Sequence, residues 1–180
     1  MSNIDTASGV DARAAKVKLM IFDVDGVLTD GSLHYGADGE ALKTFNVHDG
    51  LGIKLLQESG VQTAIISART SPQVIRRAAD LGINFLHQGG HDKLTPFNSL
   101  LEKTGLTADQ VGFIGDDVVD IAILTRVGLA VGVPNGRPEV LSRVHHRTEA
   151  AGGRGAVREI CELLLKAQGN YERIMAQFLV

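Results

Sequence analysis

Asp23 and Asp25, in Asp23-Val24-Asp25-Gly26-Val27-Leu28-Thr29, directly follow the apolar run Val17-Lys18-Leu19-Met20-Ile21-Phe22. Two carboxylates so close repel one another unless a cation lies between them or one holds a proton. Ser67, Lys93 and the pair Asp116-Asp117 come later, at the ends of other strand-like runs or the start of helical ones. Carboxylate nucleophile, hydroxyl donor, fixed cation and metal-binding acids together suit phosphoryl transfer. In that chemistry Asp23 attacks phosphorus, and Asp25 protonates the leaving alkoxide and then activates water. Asp116, with Asp23 and a backbone carbonyl near Asp25, offers hard oxygen ligands to Mg2+, with Asp117 in support. Ser67 and Lys93 would hold the non-reacting phosphoryl oxygens. Taken singly, each has a plainer use. A strand-end Asp caps or turns, Asp117 suits the first turn of a helix, Ser67 a turn and Lys93 a solvated helix face. Their coincidence at successive strand ends is what points to a site.

The elements that position them alternate. Strand-like runs at 17–22, 61–66, 84–87, 110–114 and 129–133 are separated by amphipathic patterns at about 49–58, 71–81, 93–104 and 117–126, and another follows at 155–168. Apolar residues three or four apart mark the helices. This alternation predicts an α/β fold, a Rossmann-like doubly wound parallel sheet with ligands at the carboxyl ends of its strands. Residues 30–46 break the pattern. Ala37-Asp38-Gly39 is a turn signal between two strand-like pieces, so a β-hairpin insertion stands beside the active edge.

The chain has 180 residues, enough for one core that buries roughly 70% of the unfolded surface. We read residues 1–15 as a flexible tail, 16–170 as the core domain and 171–180 as a C-terminal tail. A net charge of −3, 4% aromatic residues and the absence of Trp argue against nucleic-acid partners. No apolar run approaches a membrane span, and the start lacks the pattern of a secretory signal. The lone Cys161 cannot form an internal disulfide, which fits a cytoplasmic location. Six histidines show no metal-ligand spacing on one element.

The motifs Asp23-Val24-Asp25-Gly26-Val27-Leu28-Thr29, Ile65-Ile66-Ser67, Lys93 and Gly115-Asp116-Asp117 resemble those of the haloacid dehalogenase-like phosphohydrolases. A narrower likeness covers Phe45-Asn46-Val47-His48-Asp49-Gly50, Ser67-Ala68-Arg69 and Gly152-Gly153-Arg154-Gly155-Ala156-Val157-Arg158-Glu159. These resemble the branch of that family that hydrolyses 3-deoxy-D-manno-octulosonate 8-phosphate in lipopolysaccharide synthesis. The resemblance implies Asp23 as nucleophile, Asp25 as general acid/base, Asp116 as Mg2+ ligand and a tetramer. It also implies that Asn46, Val47, His48, Asp49, Gly50, Lys54, Arg69, Arg77 and Lys93 line the substrate site. His48 and Lys54 stand where arginine is expected, and Ser67-Ala68-Arg69 replaces threonine-glycine-arginine. At position 54 a lysine keeps the charge but loses the bidentate fork.

The spacing leaves no room for a large cap domain. About twenty residues separate the first motif from the helix at 49, and they fill the hairpin. Its apolar residues Leu33, Tyr35, Leu42 and Phe45 suggest pairing with a neighbouring subunit, in a homotetramer whose neighbours complete each active site. Arg154, between glycines read as mobile, would close over substrate, although an exposed arginine before a helix is the plainer reading. The apolar residues 170–180 either reach a neighbour or pack on their own chain. Three other readings stay open: a phosphatase for a nine-carbon ketoaldonate 9-phosphate, a phosphate-accepting receiver domain, and an inactive binding homologue.

Overall fold

The computed structural model describes the backbone of residues 4–179 and the side chains of residues 9–179. Six parallel strands form the main sheet. In chain order the strands among the described residues are β1 (Leu19–Phe22), β2 (His34–Gly36), β3 (Gly39–Leu42), β4 (Gln62–Ser67), β5 (Phe85–Gln88), β6 (Val111–Gly115), β7 (Leu129–Gly132) and β8 (His146–Arg147). The sheet runs β5-β4-β1-β6-β7-β8, and β2 with β3 makes a separate antiparallel hairpin. Phe22 pairs with Ile65 on one side and Ile114 on the other. That register brings the carboxyl ends of β1, β4 and β6 level, so Asp23, Ser67 and Asp116 leave the sheet side by side.

Side-chain alternation sorts the core into two layers, as a twofold period requires. Met20 and Phe22 face one layer and Leu19 and Ile21 the other. On the Met20 side pack α1 (Ile4–Ala14), α2 (Val47–Glu58) and α3 (Pro72–Leu81). On the other side lie α4 (Leu94–Thr104), α5 (Ile121–Leu124) and the short α6 (Pro138–Leu141). The chain then returns to the first side with α7 (Ala156–Ala167) and α8 (Tyr171–Ala176). Gly112 leaves room for the Met20 side chain, because a Cβ there would sit 2.6 Å from its Sδ. Among the described residues no helix is long and apolar enough to cross a membrane.

Three expectations change. The N-terminal tail contains α1, and Ala14 at its end is fully buried. Gln168 Nε2 donates to the carbonyls of Ala14 (3.1 Å) and Val17 (2.9 Å), and Arg13 Nη1 donates to Gly128 O (2.8 Å). Residues 1–3 of that tail lie outside the described residues. At the other end, Tyr171–Ala176 is helical and Ile174 is buried, so the tail packs on its own chain and leaves Phe178 and Leu179 exposed. The helix expected over 117–126 divides into a tight turn, Val118–Asp120, and the single turn of α5.

Ile160 is fully buried on α7, against the layer that supports the first motif. Ile160→Ala is expected to lower unfolding free energy by about 2–5 kcal/mol, read from urea denaturation.

Candidate active site

Asp23 is extended and 5% exposed where β1 ends, and its N–H donates to Ile114 O (3.1 Å). The chain then winds through one tight turn, Val24–Leu28, in which Gly26 has φ +86°. Thr29 closes it. Its N–H donates to Val24 O (3.0 Å), and its Oγ1 accepts from Gly31 N (3.2 Å). Gly26 serves twice: a side chain there is strained, and its Cβ would lie 2.1 Å from Asp116 Oδ2.

The turn rests on Gly152 and Gly153. A Cβ at Gly152 would stand 1.7 Å from Gly26 O, and one at Gly153 would stand 2.5 Å from Asp30 N. Gly153 N donates to Val27 O (2.8 Å). Asn135 joins both chains, donating to Gly26 O (2.9 Å) and accepting from Gly152 N (2.8 Å). The glycines before Arg154 therefore provide close backbone contact, where the sequence suggested mobility.

Lys93 precedes α4, and its side chain is 1% exposed. Its Nζ lies 2.8 Å from Asp23 Oδ1 and 2.6 Å from Asp120 Oδ1. Asp120 is fully buried, and its other oxygen accepts from the N–H groups of Asp116 (3.0 Å) and Asp117 (3.2 Å). Sequence reasoning missed Asp120. Its place four residues after Asp116, on the loop that opens a helix, was the available signal. Asp117, expected to support the metal, borders the same pocket and caps Val118 N with its Oδ1 (2.7 Å).

Carboxylate oxygens of Asp23, Asp116 and Asp120 all lie within 4.8 Å of one another. Burial first, then the Asp120 charge, pushes the Asp23 carboxyl well above the usual range. Burial, then Asp120 and Asp117, pushes Asp116 up to about 7. Lys93 moves the other way. Burial opposes its charge, but Asp23 and Asp120 outweigh that and hold it above the ordinary lysine value. Among the described residues Asp116 Oδ1 is buried with no hydrogen-bond partner. Since Asp120 is already engaged at both oxygens, Asp23 and Asp116 are the carboxylates left to meet a hard divalent cation.

These groups border a pocket of about 360 Å³ shared by Asp23, Asp25, Ser67, Arg69, His91, Lys93 and Asp116. A hollow of about 410 Å³ beside β5 is lined by Phe85, Leu86, Pro96 and Leu100 and has no carboxylate. The chemistry belongs to the smaller one. The hairpin reaches its rim with three residues that sequence reasoning did not single out as site residues. Tyr35 and Glu40 hold Arg69, at 3.3 and 2.9 Å from Nη2, and Lys43 pairs with Asp25.

The other expected substrate residues do not line this pocket within one chain. Asn46 caps α2, its Oδ1 accepting from His48 N (2.8 Å). Asp49 is buried and its Oδ1 accepts from Arg158 N (2.8 Å), so it braces the start of α7. Gly50 makes room for Arg77, whose Nη2 donates to Asn46 O (3.1 Å). Val47, His48 and Lys54 are exposed. Arg154 is also exposed, 3.7 Å from Asp30.

A family model described as haloacid dehalogenase-like hydrolase matches residues 82–160. The 3-deoxy-D-manno-octulosonate 8-phosphate phosphatase of Escherichia coli is 44% identical over 171 residues, spanning 95% of this chain and 91% of the relative. The chain belongs to the haloacid dehalogenase-like hydrolases. Solved members of known likeness agree. A probable YrbI-family phosphatase from Pseudomonas syringae is 48% identical with a TM-score of 0.94, over 96% of this chain and 98% of that one. A 3-deoxy-D-manno-octulosonate 8-phosphate phosphatase from Moraxella catarrhalis, solved with magnesium, phosphate and KDO, is 42% identical with a TM-score of 0.92, over 94% and 97%. In this haloacid dehalogenase-like hydrolase, as in the sheet rule, the acids gather at the carboxyl edge.

Two outcomes follow for the acid cluster. Gly26→Ala is expected to cost ~1 kcal/mol or more and to displace Asp116, read as a lower unfolding midpoint with weakened Mg2+ binding. Carboxyls raised by folding bind more protons in the native state between their ordinary value and their raised one. Metal-free stability should therefore be greatest below about pH 4 as far as these groups act, and fall as pH rises towards 7. Added Mg2+ should raise the thermal midpoint more at pH 8 than at pH 5.

Proposed function

We propose that this chain is an Mg2+-dependent phosphomonoester hydrolase that converts 3-deoxy-D-manno-octulosonate 8-phosphate to the free sugar acid and phosphate, serving lipopolysaccharide synthesis in the cytoplasm. The observation that carries the chemistry is the buried Asp23–Lys93–Asp120 chain facing Asp116 and Ser67 across one pocket. The substrate reading rests on the relatives that carry that name over nearly the whole chain.

Lys93 holds Asp23 Oδ1, which leaves the other oxygen free to attack phosphorus. The new Asp23–phosphorus bond forms as the bond to the ester oxygen breaks, and Asp25 gives that oxygen its proton. A water then transfers a proton to Asp25 and attacks phosphorus, releasing phosphate from Asp23. Ser67 and the Lys93 ammonium meet charge on the non-reacting oxygens throughout. A cation held by Asp23, Asp116 and a backbone carbonyl near Asp25 would draw charge from the phosphoryl group and let Asp23 approach it.

Residues 16–170 act as one catalytic unit. We place the sugar-acid portion at the rim, where Arg69 stands and Arg154 is near enough to the first motif to reach in. We further infer a homotetramer. Leu33, Tyr35 and Leu42 are exposed on the hairpin, and Val47, His48 and Lys54 present the remaining expected substrate residues outward, where they would complete a neighbour's site.

Asp23→Asn is expected to reduce Mg2+-dependent phosphate release to background while leaving the fold intact. Lys93→Ala should lose ~10²–10³-fold in kcat, the loss typical when one charge-stabilising donor is removed. A steady-state comparison with the nine-carbon ketoaldonate 9-phosphate decides the substrate, since equal kcat/KM values would defeat the eight-carbon assignment.

A further inference from the structure

The hairpin sorts its side chains in an unusual way. Leu33, Tyr35 and Leu42 are 41%, 65% and 48% exposed, yet the Lys43 side chain, one residue past β3, is 1% exposed. Lysine is almost never buried without a partner, and ordering its long side chain costs conformational entropy. Lys43 has two partners. Its ammonium pairs with Asp25 Oδ1, and it lies 3.3 Å from Glu40 Oε2. Glu40 is fixed in turn by Arg69 Nη2 (2.9 Å) and by Ser71 Oγ (2.9 Å), which binds the hairpin to the loop after β4. Among the described residues Asp25 Oδ2 accepts no hydrogen bond, and Arg69 Nε lies 3.8 Å from it. One oxygen of Asp25 is thus held from the hairpin side, while Asp25 itself borders the pocket.

We propose that Lys43 is a positioning residue for the proton transfers of Asp25, and that Glu40 keeps Lys43 in place. This rests on the phosphatase reading above and adds the hairpin to the machinery of each chain. When the ester bond breaks, the proton passes from Asp25 to the leaving oxygen. Later a proton passes from the attacking water back to Asp25. Both transfers need the free oxygen aimed at the pocket, and Lys43 supplies that aim without touching substrate. A purely structural role for the pair would instead weaken the hairpin and depress all reactions alike.

Leaving-group dependence separates the two. An alkoxide needs a proton as it departs, whereas p-nitrophenolate leaves without one. Lys43→Met, with Mg2+ present, is expected to slow first-turnover cleavage of the sugar phosphate ~10-fold or more, part of the 10²–10⁴ that a positioned acid contributes. The first-turnover burst of p-nitrophenolate should stay within about threefold of the unsubstituted protein, followed by slow phosphoenzyme breakdown. Lys43→Arg should recover most of the loss, because a guanidinium still pairs with Asp25. Glu40→Gln should show the same pattern more weakly, which keeps the test open if Lys43→Met unfolds. Equal losses with both substrates in the folded variants, or no loss with either, would overturn the role of Lys43. If the unsubstituted protein releases phosphate from neither substrate, the phosphatase reading fails instead.

Discussion

The ammonium of Lys93, enclosed between Asp23 and Asp120, is the contact on which the rest of the site depends. Desolvating three charges is costly, and removing one partner from such a group leaves an uncompensated buried charge. The fold accepts this because the charges do several things together. Lys93 fixes one oxygen of Asp23 and one oxygen of Asp120. The second oxygen of Asp120 gathers the N–H groups of Asp116 and Asp117, which sets the start of the turn that delivers Asp116. Asp116 in turn fills the space that a side chain on Gly26 would take. A single cation thereby links β1, α4 and the loop after β6.

Much of this was legible in the sequence where side chains follow a period or end a strand. Strand-like runs and helical stripes located five of the six main strands, because buried parallel strands are continuous apolar runs. Asp23, Ser67, Lys93 and Asp116 were found for the same reason. The two residues of β8 and the four of α6 are too short to show any period. Asp120 looked like an ordinary helix acid, since only burial distinguishes it from Asp117. Lys43 was invisible. Nothing in Ala41-Leu42-Lys43-Thr44 says that the lysine turns inward while the leucine turns out.

The segments 46–50 and 152–155 illustrate a different limit. The family resemblance implied ligand contacts for the first and the glycines of the second suggested mobility, but within one chain Asn46 and Asp49 satisfy helix N-termini, and Gly50 and Gly152 remove atoms that would collide. A polar or glycine-rich motif records close packing as readily as substrate contact. The two uses are compatible, because a segment whose backbone is firmly braced can still present Val47, His48 and Lys54 outward in a fixed arrangement.

The contact between the first-motif turn and Gly152-Gly153 also bears on how the protein is made. Asn135 reaches back to Gly26 across 109 residues of sequence, and Gly153 lies later still. Synthesis proceeds from the N-terminus at about 5–20 residues per second, so the nucleophile leaves the ribosome well before the backbone that supports its turn. Strands as far as β7 can pair while Val27 O still lacks its donor. A nascent chain truncated before position 152 would thus hold all four motifs without a finished turn beneath them.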